Sequence, residues 1–298
     1  MIDLRGMMTE SRNPESMNLD EMTALEIVTV MNSEDMKVPQ AIKSQLPMIA
    51  QAVDCCVSGI KEGGRIIYIG AGTSGRLGIV DASECPPTFG VSHDLVVGLM
   101  AGGMRAMSHA VEGAEDSREL CVEDLKKLDL RKSDTVVGLA ASGRTPYVLG
   151  GLEYANSIGC RTVSIACNTV SAIGKVAKVK IEVPVGPEVL TGSTRLKAGT
   201  AQKLVLNMIT TATMVRLGKC YQNLMVDMVQ SNAKLKIRAQ NMVMDATGVD
   251  RDEAIEILEK AQGSVKTAIV MILASCSCEE ALNRLSASEG HVRQAVMQ

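Results

Sequence analysis

The chain is poor in aromatic residues, with one Phe, four Tyr and no Trp among 298 residues. Without stacking platforms, recognition of nucleic-acid bases or large planar rings is excluded as its main device. There is no basic block either. Thirty-one Lys and Arg against 34 Asp and Glu leave a net charge of −3, a poor match for nucleic acid or an anionic membrane. No run of 18 apolar residues occurs, and the N-terminal stretch lacks the apolar centre of a signal peptide, so neither a membrane helix nor secretion is expected. The nine Cys are odd in number and irregularly spaced, without a Cys-x-x-Cys pair, and His93, His109 and His291 lie far apart. That pattern argues against a metal site and for reduced thiols packed as small hydrophobes in a cytoplasmic protein.

What the chain does have is an ordinary apolar fraction of 46%, with 19 Met, from which Leu, Ile, Val, Ala and Met can build a full core. Its organising stretch is Arg65-Ile-Ile-Tyr-Ile-Gly-Ala-Gly-Thr-Ser-Gly-Arg76. Ile66–Ile69 read as a buried strand, Gly70–Gly75 as a glycine-rich turn, and Arg76 onward as a helix. A strand running through glycines into a helix N-terminus suits an anion, because the backbone approaches closely and its N–H groups face the ligand. Gly70-x-Gly72-x-x-Gly75 also spells the dinucleotide fingerprint. That fingerprint requires an acid at the end of the second strand, and Leu95–Met100 ends in Ala101-Gly-Gly103 instead. Thr73 and Ser74 add hydroxyls better suited to a small phosphate monoester.

A second loop repeats the first. Asp134–Ala140 is another apolar strand, and it leads into Ala141-Ser142-Gly143-Arg144-Thr145-Pro146. Two hydroxyl loops at strand C-termini can hold one phosphate from two sides, at the switch point of an open parallel sheet. Further strands at Thr162–Cys167 and Val179–Val185, alternating with helices, complete an expected α/β fold: a three-layer α/β/α sandwich on a parallel five-stranded sheet.

Elsewhere, Thr9–Ser16 reads as a flexible polar terminus. Helices are expected over 19–33 and 39–61, with Ile42, Leu46, Ile49, Val53 and Ile60 on one face of the second. In Asp81-Ala-Ser-Glu-Cys-Pro-Pro87 the two prolines are expected to end the helix, holding Glu84 at a rigid junction. A helix through Met107–Glu119 would place Glu112, Glu115 and Glu119 on one face. For each of these acids a solvated surface carboxylate is the alternative. Thr191-Gly-Ser193-Thr194-Arg195-Leu-Lys197 opens a long helix to about Leu217 and pools hydroxyls with cations, which suits a polyhydroxy anion. Another long helix is expected over 221–246. Asp250-x-x-Glu253 and Ser277-x-x-Glu280 are capping boxes in a small helical bundle with no visible catalytic cluster.

Taken together, Gly70-Ala-Gly-Thr-Ser-Gly-Arg76, Asp81–Pro87, Val111-Glu-Gly-Ala-Glu-Asp-Ser117, Ala141-Ser-Gly-Arg-Thr-Pro-Tyr147 and Thr191–Lys203 resemble the N-acetylmuramic acid 6-phosphate etherases of the sugar isomerase (SIS) superfamily. The resemblance covers nearly the whole chain. It implies an SIS phosphosugar-binding catalytic domain with N-terminal helices over 1–240, and a ubiquitin-associated-like helical domain over 241–298. It implies a cytoplasmic homodimer without metal or organic cofactor that cleaves the lactyl ether of a phosphosugar, with Glu84 and Glu115 as its catalytic acids. Thr73, Ser74, Gly75, Ser142, Gly143, Thr145, Ser193, Arg195 and Lys197 are the expected phosphosugar-binding residues. Elimination of this kind needs one carboxylate to take a proton and a second group to protonate the leaving oxygen. The second must hold its proton above the usual Glu value of about 4.3, through burial or a neighbouring carboxylate. A phosphosugar-sensing regulator or an aldose–ketose isomerase would keep the same loops, but the regulator has no need of the two acids and the isomerase none of a proton donor for a leaving alkoxide.

The missing ribose-binding acid has a direct consequence. Titration calorimetry should detect no binding of NAD or NADP at micromolar concentrations, and a micromolar Kd for either would overturn the phosphate-monoester reading of the first loop.

Overall fold

A computed structural model describes residues 7–109, 111–230 and 232–298. Five parallel strands form one sheet: β1 (Ile66–Gly70), β2 (Val96–Met100), β3 (Thr135–Leu139), β4 (Arg161–Ala166) and β5 (Val179–Glu182), in the order β2-β1-β3-β4-β5. Strands β1 and β3 are buried along their whole length, as expected of parallel strands covered on both faces. At the edge, β5 exposes Lys180, a charge that discourages further pairing. Register sets Gly70 level with both Leu139 and Met100, so the loops after β1 and β3 leave the sheet side by side, where the strand order reverses.

Helices cover both faces. Gly138 admits α6 (Pro146–Ile158) closely, since a Cβ there would lie 2.6 Å from Val148. Ile67, Ile69 and Val136 share this layer with Cys121 and Leu125 of α5 (Arg118–Lys127) and Ile173 of α7 (Ala172–Val176). On the opposite face, Gly59 of α3 (Leu46–Lys61) meets Thr135, and Gly78 of α4 (Gly72–Phe89) meets Tyr68. The Tyr68 hydroxyl donates to Asp81 at 3.0 Å, and Asn207 and Thr210 of α8 (Lys197–Arg216) donate to the same carboxylate. Burial raises the Asp81 pKa despite these three donors.

Several elements differ from the sequence reading. The N-terminal stretch is ordered as short 3-10 turns with Thr9 and Asn13 buried, because it finds partners for its polar groups. The first α-helix, α1 (Ala24–Asp35), starts only after Thr23 and Glu26 close a capping box. The 39–61 segment is split into α2 (Lys37–Lys43) and α3, since Pro47 is tolerated only in a first turn; Ile42, Ile49 and Val53 are buried, while Leu46 is exposed. Pro86 and Pro87 do not end α4, which continues to Phe89; in a last turn they deprive only two carbonyls of donors. Residues 103–116 form two 3-10 turns, Gly103–Met107 and Ala114–Asp116, rather than a helix, so Glu112, Glu115 and Glu119 share no helical face. Gly113 has φ +74, and Ser117 caps α5 through the Leu120 amide. The last long helix, α9 (Ala233–Thr247), begins after Asn232, whose side chain accepts from the Leu235 amide.

By its contacts the chain divides into two compact units, one comprising the residues to Ser83 with His93–Thr210 and the other Glu84–Ser92 with Thr211–Gln298. The boundary expected at 240/241 falls inside α9. In the second unit α9, α10 (Arg251–Lys260), α11 (Val265–Leu273), α12 (Cys278–Ala287) and α13 (Val292–Met297) enclose a core containing Val243, Leu258, Ile269 and Leu285. Asp250 and Ser277 accept from the Glu253 and Glu280 amides, as the capping motifs require. Buried Lys266 is paired with Asp227 at 2.6 Å. Among the described residues no helix is long and apolar enough to cross a membrane.

One buried ion pair ties α1 to α8 within the first unit. Lys197 is 1% exposed and its ammonium meets Glu34, which Lys37 also contacts. Burial opposes ionisation of Glu34, but Lys197, Lys37 and Asn13 override it and hold its pKa at about 2. The folded value lies below the unfolded one, so this stabilisation is complete above about pH 5 and is lost as pH falls toward 2. Glu34→Gln should lower the unfolding free energy at pH 7 by about 3 kcal/mol, a difference that closes by pH 2. Urea titrations of both proteins across that range provide the check, and parallel acid curves would contradict it.

Candidate functional site

The site grows from the turn after β1. A Cβ on Gly70 would lie 2.7 Å from the Gly75 nitrogen, and one on Gly75 would lie 2.6 Å from the Met100 Cβ, so only glycine permits this approach. α4 can therefore start immediately beyond the strand, with Thr73 and Ser74 in its first turn. The Ser74 hydroxyl donates to Gln202 Oε1 at 2.8 Å, and the Thr73 methyl lies 3.5 Å from where a Gly199 Cβ would sit. The first turns of α4 and α8 are thus neighbours. Gln202 Nε2 is buried and has no hydrogen-bond partner among the described residues. The sequence reading passed over this residue, and only its contact with Ser74 singles it out.

The second loop occupies the end of β3. Gly143 adopts φ +74 and abuts Ser171, the half-buried Ser142 hydroxyl accepts from the Arg144 amide at 3.3 Å, and Thr145 caps α6 with its carbonyl. Ser142 and Arg144 line a cavity of about 320 Å³ together with Met7, Met8 and Asn168.

Glu115 sits in the 3-10 turn Ala114–Asp116, exposed. It lines a separate cavity of about 290 Å³ with Glu112, Gly72 and Arg76. Arg76, which the sequence reading used only to mark the helix start, donates to the carbonyls of Met107 at 2.9 Å and Ala106 at 2.7 Å and so fixes the wall of that cavity. A cation and two carboxylates thus meet at the first loop.

The remaining expected residues are placed differently. Ser193 is half-buried in the turn before α8, and Arg195 is exposed. Lys197 is enclosed and neutralised by Glu34, so in this chain its charge serves the α1–α8 junction. Its amide and that of Ala198 bind the carboxylate of buried Glu188, whose pKa burial raises although both amides and the Lys197 charge oppose it. Glu84 is exposed and belongs to the second unit, ten residues beyond Ser74 in the chain.

Known proteins match this chain along its length. The family model of the glucokinase regulatory protein N-terminal SIS domain covers residues 48–156, and that of the SIS domain covers residues 110–212. A phosphoheptose isomerase from Francisella tularensis shares the fold, with a TM-score of 0.50 and 17% identity over 65% of this chain and 100% of that one. N-acetylmuramic acid 6-phosphate etherases are far more similar. That of an Exiguobacterium strain is 60% identical over 97% of this chain and 98% of its own length, and that of Pectobacterium atrosepticum is 56% identical over 99% and 98%. With such identity over nearly the full length of both partners, the chain belongs to the N-acetylmuramic acid 6-phosphate etherase family.

Proposed function

We propose that this protein is a carbon–oxygen lyase that converts N-acetylmuramic acid 6-phosphate and water to N-acetylglucosamine 6-phosphate and D-lactate, a step in recycling cell-wall sugars. Glu115 carries the assignment, because it lines a cavity whose floor is the first glycine loop. Phosphate binds between the loops after β1 and β3, through the Thr73, Ser74, Ser142 and Thr145 hydroxyls and the backbone at Gly75 and Gly143, with Ser193 and Arg195 reaching the sugar from the α8 turn. Lys197 supports these residues from the start of α8, where its ammonium pairs with Glu34 and its amide with Glu188.

In the open-chain aldehyde the hydrogen on carbon 2 is acidic. Glu115 removes it, the electrons form the carbon 2–carbon 3 double bond, and the carbon 3–oxygen bond breaks. Glu84 gives its proton to the departing lactate oxygen. Water then adds at carbon 3 and a proton returns to carbon 2, so that the two carboxyls end as they began. These transfers need no redox step, and the two carboxyls and water account for every proton, so we assign no cofactor.

We further propose a homodimer. A second copy offers cover for both exposed carboxylates, which would give the general acid the burial its role requires. All nine cysteines are free thiols, which fits a reducing cytoplasm. Residues 241–298, which carry no catalytic cluster, serve packing or dimerisation.

Proton removal and leaving-group protonation are separate tasks, each worth about 10²–10⁴ in rate. In heavy water, Glu84→Gln should exchange the carbon 2 hydrogen without releasing lactate, whereas Glu115→Gln should lose both. The opposite pattern would reverse the two roles. Full lactate release by both variants would refute catalysis by either acid, and absence of lactate release by the native protein would favour an isomerase or a regulator.

A further inference from the structure

Residues 7–16 carry no helical pattern, yet they place two polar side chains among the most deeply buried of the chain. Thr9 is 0% exposed and Asn13 is 3% exposed. Burial of this kind is costly unless the groups find partners; some lie nearby, at Glu10, Glu15 and Glu34, and the others belong to the C-terminal edge of the sheet. The Thr9 amide donates to Asn168 Oδ1 at 3.3 Å, and Asn168 Nδ2 donates back to the Thr9 hydroxyl at 2.9 Å. The same Nδ2 donates at 3.4 Å to the carbonyls of Ala141 and Ser142. Further along, Asn13 donates to the Pro187 carbonyl at 3.1 Å and Ser16 to that of Val189 at 2.7 Å.

These contacts form a chain of cause that ends in the second hydroxyl loop. Asn168 is 6% exposed, so its amide has no water to turn to. Of its bonds, the one to the Thr9 hydroxyl is the best made, while that from the Thr9 amide and those to the loop carbonyls are long. Thr9 thus holds the Asn168 amide, and that amide reaches the Ala141 and Ser142 carbonyls of the loop, the first of which also accepts from the Cys167 amide at 2.9 Å. Met7 and Met8 meanwhile wall the cavity that Ser142 and Arg144 line.

We propose that the N-terminal segment is a working part of the phosphosugar site, with Thr9 and Asn168 as positioning residues for the Ser142 loop. This rests on Ser142 binding phosphate. Coupling is reciprocal: a segment that improves phosphate binding must itself be stabilised by phosphate.

Two measurements on the full-length protein test this. Hydrogen exchange of the Thr9 amide, followed by mass spectrometry, should slow severalfold at saturating inorganic phosphate. Thr9→Val, which deletes the hydroxyl at nearly constant volume, should raise KM for the phosphosugar and the inhibition constant of inorganic phosphate by a common factor of about ten, the scale of one buried hydrogen bond, with a much smaller change in kcat. Thr9→Ser should restore both constants. Unchanged exchange at Thr9, or a cooperatively folded Thr9→Val with native constants, overturns the proposal. Should Thr9→Val fail to fold, Asn168→Asp, which keeps the acceptor for the Thr9 amide and loses the donor to the loop, is judged by the same constants. Ser142→Ala separates the two levels: if it leaves phosphate inhibition unchanged, the phosphate loop itself is misassigned, whereas if it weakens inhibition and Thr9→Val does not, only the positioning role fails.

Discussion

The close approach of Gly70 to Gly75 is the constraint on which the remainder of the site depends. With no side chain at either position, α4 begins where β1 ends, and its first amides stand at the sheet's C-terminal edge. The strand order then places the loop after β3 beside it, because β1 and β3 are neighbours although β2 intervenes in the chain. A helix started two residues later would point its dipole elsewhere, and Ser74 would not reach Gln202. Ligand chemistry at this edge follows from parallel strands feeding helices, while the specific chemistry follows from the hydroxyls and carboxylates that the loops carry.

Around this edge lies a set of buried polar groups that make a single arrangement favourable. Glu188 binds the first amides of α8, Lys197 joins Glu34 of α1, and Asn13 and Thr9 bind loop carbonyls and Asn168. Removal of one partner from such a network leaves an uncompensated buried group, which costs more than the bond itself is worth. Such a network contributes specificity of loop placement as well as stability.

The two acids present the opposite situation. Glu84 and Glu115 are both exposed, one near the end of a long helix and the other in a short turn. A carboxyl that is to donate a proton near neutrality needs a closed environment, and both of these side chains face outward here.

The strands, their order of appearance, the two hydroxyl loops and the N-caps at Asp250 and Ser277 were legible because each depends on local chemistry: continuous apolar runs, glycines where backbone approaches backbone, and side chains that satisfy an amide three residues on. The family too was legible, since long motifs in a given order leave few alternatives. What only the tertiary structure decided were features whose partners lie far away in the sequence. Thr9–Ser16 read as a loose terminus because its partners, Asn168, Pro187 and Val189, are about 160 to 174 residues distant. The pairing of Lys197 with Glu34 is hidden in the sequence because the two lie 163 residues apart. The glutamates of 112–119 read as a helical face because a period of three and four does not reveal that Gly113 takes a positive φ. Local rules settle which groups each segment must satisfy; which distant group satisfies them is decided only when the sheet brings its C-terminal loops together.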